Sequence, residues 1–271
     1  MPTLALADVE LYYEERGEGA PLLLIGGLAA DSQSWLPIVP LLATRCRVIT
    51  CDNRGVGRTA PQDAPTSIKT MADDCVALVR HLGLNSLNVL GYSMGGFIAQ
   101  DLATRHPDLV DRLVLASTAA RNSRRNNDLF MDLAGALEQG AGAKAWYRNL
   151  FYWIFSAGFF DDRKTVEIAL RMAITYPYPQ SAAAFRGQVG AIAEFRGVPL
   201  AQLRARTLVL GGTEDLLFPA PVCAAFAQSL PDAAWIPIAD AAHCVYLEQP
   251  ELFAQHVLDF VLADGDGPAA G

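Results

Sequence analysis

Ser93 lies in Gly91-Tyr92-Ser93-Met94-Gly95, directly after the apolar run Leu87-Asn88-Val89-Leu90 and directly before a helix-forming stretch. A serine hydroxyl is a poor nucleophile at neutral pH. It becomes useful on a tight strand-to-helix turn, beside a base and a site for an oxyanion. In such a turn the serine backbone is strained and its side chain stands clear of the sheet edge. Strand and helix nearly touch there, so the positions two before and two after must be small. Gly91 and Gly95 meet that need, and Gly96 adds room. The helix then starts beneath the serine, with free N–H groups and its positive end toward developing charge.

A base and an acid complete the chemistry. Of the four histidines, His81 and His106 close helices and His256 sits inside one. His243, in Asp240-Ala241-Ala242-His243-Cys244, follows a strand. A base in that loop reaches a serine at the end of a central strand. The acid is expected after residues 207–210, where Gly211-Gly212-Thr213-Glu214-Asp215 offers two carboxylates. Asp215 is favoured over Glu214, because adjacent side chains diverge and Leu-Leu-Phe-Pro follows. Its carboxylate would orient the imidazole and stabilise the imidazolium. The chain order is serine, acid, histidine. Backbone donors for the oxyanion are assigned to Met94, next to the serine, and to Leu28, in Gly26-Gly27-Leu28 after the strand at 22–25. Trp35, in the same segment, is expected to line the pocket or anchor the loop. Cys244, beside His243, is read as packing.

The elements that must position these residues alternate. Residues 3–7 and 9–15 read as an opening antiparallel pair. Short apolar strands follow at 22–25, 47–51, 87–90, 112–116, 207–210 and 234–238, and continuous apolar runs suit a parallel sheet covered on both faces. Helical spacing marks 68–82, 97–105, 221–230 and 250–262. The expected architecture is an α/β fold with a mostly parallel central sheet, helices on both faces and right-handed crossovers. Between 121 and about 197 no strand is evident and aromatics are frequent. The chain therefore divides into a core of 1–120 and 198–263, a helical cap of 121–197 and a flexible tail of 264–271. Trp153 and Phe155 are expected to roof the pocket over Ser93.

Composition limits the partners. The chain has 271 residues, 52% hydrophobic and 18% charged, with a net charge of −8. An acidic balance with no basic stripe argues against nucleic acid. The cluster Arg121, Arg124 and Arg125 reads as a solvated face, or as a partner for a substrate carboxylate. No apolar run is long enough for a bilayer, and Met1-Pro2-Thr3-Leu4 opens no secretory signal. Cys46, Cys51, Cys75, Cys223 and Cys244 are scattered, without Cys-x-x-Cys spacing. A cytoplasmic protein acting on a small-molecule acyl substrate, with no metal and no organic cofactor, is expected.

On Gly26-Gly27-Leu28 with Trp35, Cys51-Asp52-Asn53-Arg54-Gly55-Val56-Gly57-Arg58, the Ser93 turn, Asp215 and His243, the chain resembles the α/β-hydrolase superfamily over nearly its whole length. The resemblance implies that fold, with a Ser93–His243–Asp215 catalytic triad and an oxyanion hole. It makes the Asp52-Asn53-Arg54-Gly55 turn structural. Many relatives have His-Gly where Gly26-Gly27 stands here, so the backbone donor is kept and a side chain is lost. Tyr176-Pro177-Tyr178-Pro179-Gln180-Ser181, with Gln188, is similar to a cap segment of small esterases and lactonases of the oxoadipate enol-lactonase-like group. Ester, lactone or thioester cleavage through an acyl-enzyme is the implied reaction. Acyl transfer or perhydrolysis by the same residues, or a ligand sensor on this fold, are the alternatives.

Overall fold

Alternating apolar runs separated by helices wind into one eight-stranded sheet, seen in a computed structural model that describes residues 2–263. The strands are β1 (Thr3–Ala5), β2 (Glu10–Arg16), β3 (Ala20–Ile25), β4 (Cys46–Cys51), β5 (Leu87–Tyr92), β6 (Val110–Ala116), β7 (Arg206–Gly212) and β8 (Ala233–Ile238). Their spatial order is β1-β2-β4-β3-β5-β6-β7-β8. β1 and β2 pair antiparallel, as does β2 with β4, and every later pair is parallel. The C-terminal ends of β3, β5, β7 and β8 therefore share one edge, and all the chemistry-bearing loops leave from it. The proposed tail at 264–271 lies outside the described residues.

The helices are α1 (Val39–Leu42), α2 (Ile68–His81), α3 (Met94–Arg105), α4 (Arg124–Glu138), α5 (Ala143–Ile154), α6 (Arg163–Ile174), α7 (Ala182–Glu194), α8 (Ala220–Gln228), α9 (Val245–Glu248) and α10 (Pro250–Val261). Successive strand residues feed opposite layers, as a pleat requires. Leu23 and Ile25 of β3 belong to the apolar layer that includes α2, α3 and α8, whereas Leu22 and Leu24 belong to the layer that includes α1, α9 and α10. Covering both faces removes the polar alternation a half-exposed strand would show. Among the described residues no helix is long and apolar enough to cross a membrane.

Two strands run further than their apolar runs. β5 continues through Gly91 to Tyr92, and β7 through Gly211 to Gly212. Glycine lowers strand propensity, yet ladder partners hold both extensions: Tyr92 opposite Ala116, and Gly212 opposite Ile238. Helix α3 opens at Met94, directly beneath Ser93, and runs on through 97–105. Helices α4 to α7 are inserted between β6 and β7. Three of them have side-chain N-caps, Ser123, Asp162 and Ser181, each accepting a backbone N–H of the first turn. Phe151 of α5 packs with Val166 and Leu170 of α6, and Trp146 packs edge-to-face on Phe185 of α7.

The glycines around the turn after β5 are steric requirements. A Cβ on Gly95 would strike the Ile25 carbonyl, one on Gly91 would strike the Gly95 carbonyl, and one on Gly96 would strike Thr118. Gly95→Ala should therefore lower unfolding free energy by about 3 kcal/mol, since backbone at this contact has no room to yield. Gly190, in α7, has open space at its Cβ position. Gly190→Ala should raise stability by about 0.5–1 kcal/mol through helix propensity. Urea unfolding of both variants checks the contrast, and equal effects would contradict it.

Candidate active site

Ser93 sits between the last residue of β5 and the first of α3, with φ 54° and ψ −116°. Three hydrogen bonds hold that backbone. Ser93 N–H donates to the Ala116 carbonyl (2.9 Å), and the Ser93 carbonyl accepts from Thr118 Oγ1 (3.0 Å) and from Gly96 N–H (2.9 Å). Both neighbours come from the end of β6 and the loop after it, so the strand beside β5 braces the turn.

His243 reaches Ser93 from the loop after β8. Its Nε2 is 3.0 Å from Ser93 Oγ, and its Nδ1 is 2.9 Å from Asp215 Oδ2. A proton on Nδ1 donated to the carboxylate leaves Nε2 to accept from the hydroxyl. The other carboxylate oxygen, Asp215 Oδ1, accepts the N–H groups of Leu217 (2.7 Å) and Phe218 (2.9 Å), which fixes the acid. All three side chains are buried. Two rings also pack against the imidazole, Phe218 stacked at 5.8 Å and Tyr92 tilted at 5.1 Å. Glu214, the neighbouring carboxylate, points elsewhere and accepts Ala157 N–H at the end of the α5 segment (3.1 Å).

The loop after β3 brings Leu28 to the same place. A Cβ on Gly27 would lie 3.1 Å from Ser93 Cβ, so glycine allows this backbone to approach the serine closely. Gly26 has a reason of its own, because a Cβ there would crowd the Ala30 carbonyl at 2.7 Å. Leu28 lines the cavity. Ala29, at φ 59°, donates its N–H to Gln188 Oε1 of α7 (3.0 Å). Gln188 Oε1 also accepts from Gln180 Nε2 (3.0 Å), while Gln188 Nε2 donates to the Arg54 carbonyl (2.8 Å). One buried amide thus joins the Leu28 loop, the inserted helices and the turn after β4. Met94 opens α3, where an N–H has no partner within its helix, and its side chain is buried in the core.

The Asp52-Asn53-Arg54-Gly55 turn is a brace. Asp52 accepts Ser32 N–H (2.8 Å) and Arg58 N–H (2.7 Å), Asn53 donates to the Gly26 carbonyl (3.0 Å), and Arg54 pairs with Asp74 and Asp8. None of these four carries a side chain into the cavity.

The cavity over Ser93 has a volume of about 550 Å³, within the range of small-molecule sites. Phe155 lines it; Trp35 and Trp153 do not. Trp35, wholly buried, lies in the 3₁₀ turn Ser32–Trp35 and packs under the site against Tyr92 and Tyr246. It anchors the loop rather than forming the pocket wall. In α5 the cavity face is the stripe of Trp146, Tyr147, Leu150, Phe151 and Ile154, spaced by three and four. Trp153 falls off that stripe, beside the Arg125 guanidinium. The helical spacing was the available signal for this wall. Tyr176, Tyr178 and Gln180 also line the cavity, and Tyr176 OH donates to Asp31 Oδ2. The arginines at 121, 124 and 125 are exposed and outside the cavity wall.

Cys244 is buried, its Sγ 3.5 Å from Tyr92 OH and its N–H donated to the Ile154 carbonyl (3.0 Å). Burial pushes its thiol up to about 12, so it is not a thiolate at neutral pH.

A family model described as the alpha/beta hydrolase fold matches residues 20–250. The chain belongs to this family. It is 30% identical over 263 residues to a Rhizobium rhizogenes (strain K84) protein named "Putative carbamate hydrolase RutD", covering 94% of this chain and 97% of that one. It is also 30% identical over 257 residues to "Putative non-heme bromoperoxidase BpoC" of Mycobacterium tuberculosis, covering 93% and 97%. The crystal structure of the enol-lactonase from Burkholderia xenovorans LB400 superposes with a TM-score of 0.86 at 26% identity, covering 96% of this chain and 99% of that one.

The burial of Cys244 has a direct consequence. Iodoacetamide at mildly alkaline pH should leave Cys244 unlabelled in the native protein and label it after denaturation, as read by peptide mass mapping. Rapid labelling of the native protein would contradict a thiol held protonated inside the site.

Proposed function

We propose that this chain is a serine hydrolase that cleaves a carboxylic ester, lactone or thioester through an acyl-enzyme on Ser93. The observation that carries this reading is the continuous line from Ser93 Oγ to His243 Nε2 (3.0 Å) and from His243 Nδ1 to Asp215 Oδ2 (2.9 Å). Support also comes from the family, whose fold hosts this chemistry at the same strand ends. Scattered free cysteines are consistent with action in the cytoplasm.

The steps follow from the geometry. As Ser93 Oγ attacks the carbonyl carbon, its proton passes to His243 Nε2. The imidazolium so formed is stabilised by the Asp215 carboxylate, which stays ionised. The carbonyl oxygen becomes an oxyanion and is held by the N–H groups of Leu28 and Met94. Collapse of the tetrahedral species breaks the bond to the leaving alcohol or thiol, which takes the proton from His243. Water then repeats the sequence on the acyl-enzyme and releases the acid, restoring Ser93. The first proton passes between Ser93 Oγ and His243 Nε2, which are already within hydrogen-bond distance.

Two sets of variants test this. Ser93→Ala should lower kcat on p-nitrophenyl esters by about 10³-fold or more with the fold retained. Retained turnover in a correctly folded variant would overturn the assignment. Asp215→Asn should cost about 10²-fold or more, because the imidazole loses its orienting acceptor. Glu214→Gln keeps an acceptor for Ala157 N–H and should change kcat by less than about threefold. The reverse ranking would move the acid to Glu214.

A further inference from the structure

Resting on the hydrolase reading, the structure points to the class of substrate. We infer that the substrate is an uncharged molecule whose acyl group is apolar and seated against α4, α5 and α6. Among the described residues, no Asp, Glu, Lys or Arg lines the cavity. On the side of α4, α5 and α6 the wall is largely apolar, with Phe130, Leu137, Leu150, Phe151 and Phe155; its polar side-chain atoms are Trp146 Nε1, which is spent on the Leu133 carbonyl (2.8 Å), and the Tyr147 hydroxyl. Its rim is apolar too: Met172, Ile174 and Leu247 both line the cavity and are exposed, Met172 by 67%. Exposed apolar side chains gathered at the mouth of a site mark where an apolar ligand enters.

Three cations of the surrounding segments, Arg58, Arg125 and Arg148, are already committed. Arg58 lies 5.0 Å from the ring of Tyr178, but on the far side of the wall, where it pairs with Asp52 and Glu14 and lies over Tyr12. Arg125 donates to the Leu216 carbonyl and lies over Trp153. Arg124 is exposed and faces Asp128, and Arg148 pairs with Glu167. A carboxylate on the acyl chain would lose its water against this wall and find no cation among the lining residues to replace it. The acidic character of the chain, −8 overall, adds long-range repulsion. Two polar side chains of the cavity fit the same conclusion. Tyr176 reaches Asp31, and Gln180 reaches the Gln188 amide that holds Ala29, so these two lie by the Leu28 loop and away from α4 and α5.

The experiment compares neutral and charged chains of one length, with two readouts. For wild-type protein, kcat/KM on p-nitrophenyl butanoate, hexanoate and octanoate should rise about fourfold per added methylene. The half-ester of octanedioic acid, with a terminal carboxylate, should fall about 10²-fold or more below the octanoate. Binding of methyl octanoate and of monomethyl octanedioate to Ser93→Ala, measured by calorimetry, should show the same discrimination without turnover. Equal or better use of the half-ester, or no gain with chain length, overturns the substrate class and leaves the hydrolase reading standing. Discrimination in binding with no turnover of any ester by wild type overturns the hydrolase reading and upholds the apolar site. A third measurement guards against a general distaste for anions: Leu150→Arg, which sets a cation in the wall, should bring the half-ester to within about tenfold of the octanoate. If the half-ester stays equally disfavoured in that folded variant, the cavity is not where the chain lies.

Discussion

Ser93 holds its backbone at φ 54°, a conformation an L-residue with a side chain keeps only when its surroundings impose it, at about 1–3 kcal/mol. The rest of the site depends on that constraint. Gly91, Gly95 and Gly96 let β5, α3, the end of β3 and Thr118 close on the turn, and any Cβ at those positions would push them apart. The Ala116 carbonyl, Thr118 hydroxyl and Gly96 N–H then occupy both polar backbone groups of the serine. The side chain stands at the sheet edge, where the loops after β3, β7 and β8 converge and His243 Nε2 meets its hydroxyl.

The same edge ties the Ser93–His243–Asp215 line to the cavity wall. Glu214 accepts Ala157 N–H, Glu248 accepts both Ala242 N–H and Ser156 N–H, and Cys244 donates its N–H to the Ile154 carbonyl. The acid loop and the base loop are thus each bonded to the segment that ends α5, whose preceding turns carry the apolar stripe. On the opposite side Gln188 ties α7 to the Leu28 loop. The inserted helices are fastened at the points where the polar groups of the site must keep their places. A shift of α5 against the sheet would disturb the base and the wall together.

Much of this was legible in the chain because its cues are local. The Gly91–Gly95 spacing demands a close strand-to-helix turn, and the apolar runs before Glu214 and Asp240 place an acid and a histidine at strand ends. The preference for Asp215 over Glu214 could be read from neighbouring residues; in the structure Asp215 Oδ2 lies 2.9 Å from His243 Nδ1, and Glu214 accepts Ala157 N–H. The cavity wall was less legible. Aromatic residues serve apolar cores and apolar pockets equally, so Trp35 and Trp153 looked as suitable as Phe155. Only packing separates them: Trp35 fills space under Tyr92 and Tyr246, and Trp153 falls outside the stripe of α5. Gln188 has no sequence signature of its bridging position, because its partners, Ala29, Gln180 and the Arg54 carbonyl, come from three separate segments.

The central claim is that Ser93 is the nucleophile and that His243 activates it. Its most direct test is covalent capture with a fluorophosphonate, read by intact mass and peptide mapping. The account predicts one adduct per chain, on the Ser93 hydroxyl, formed rapidly by native protein and slowed by about 10²-fold or more in His243→Ala. Native protein that forms no adduct, or carries it on another residue, would contradict the account.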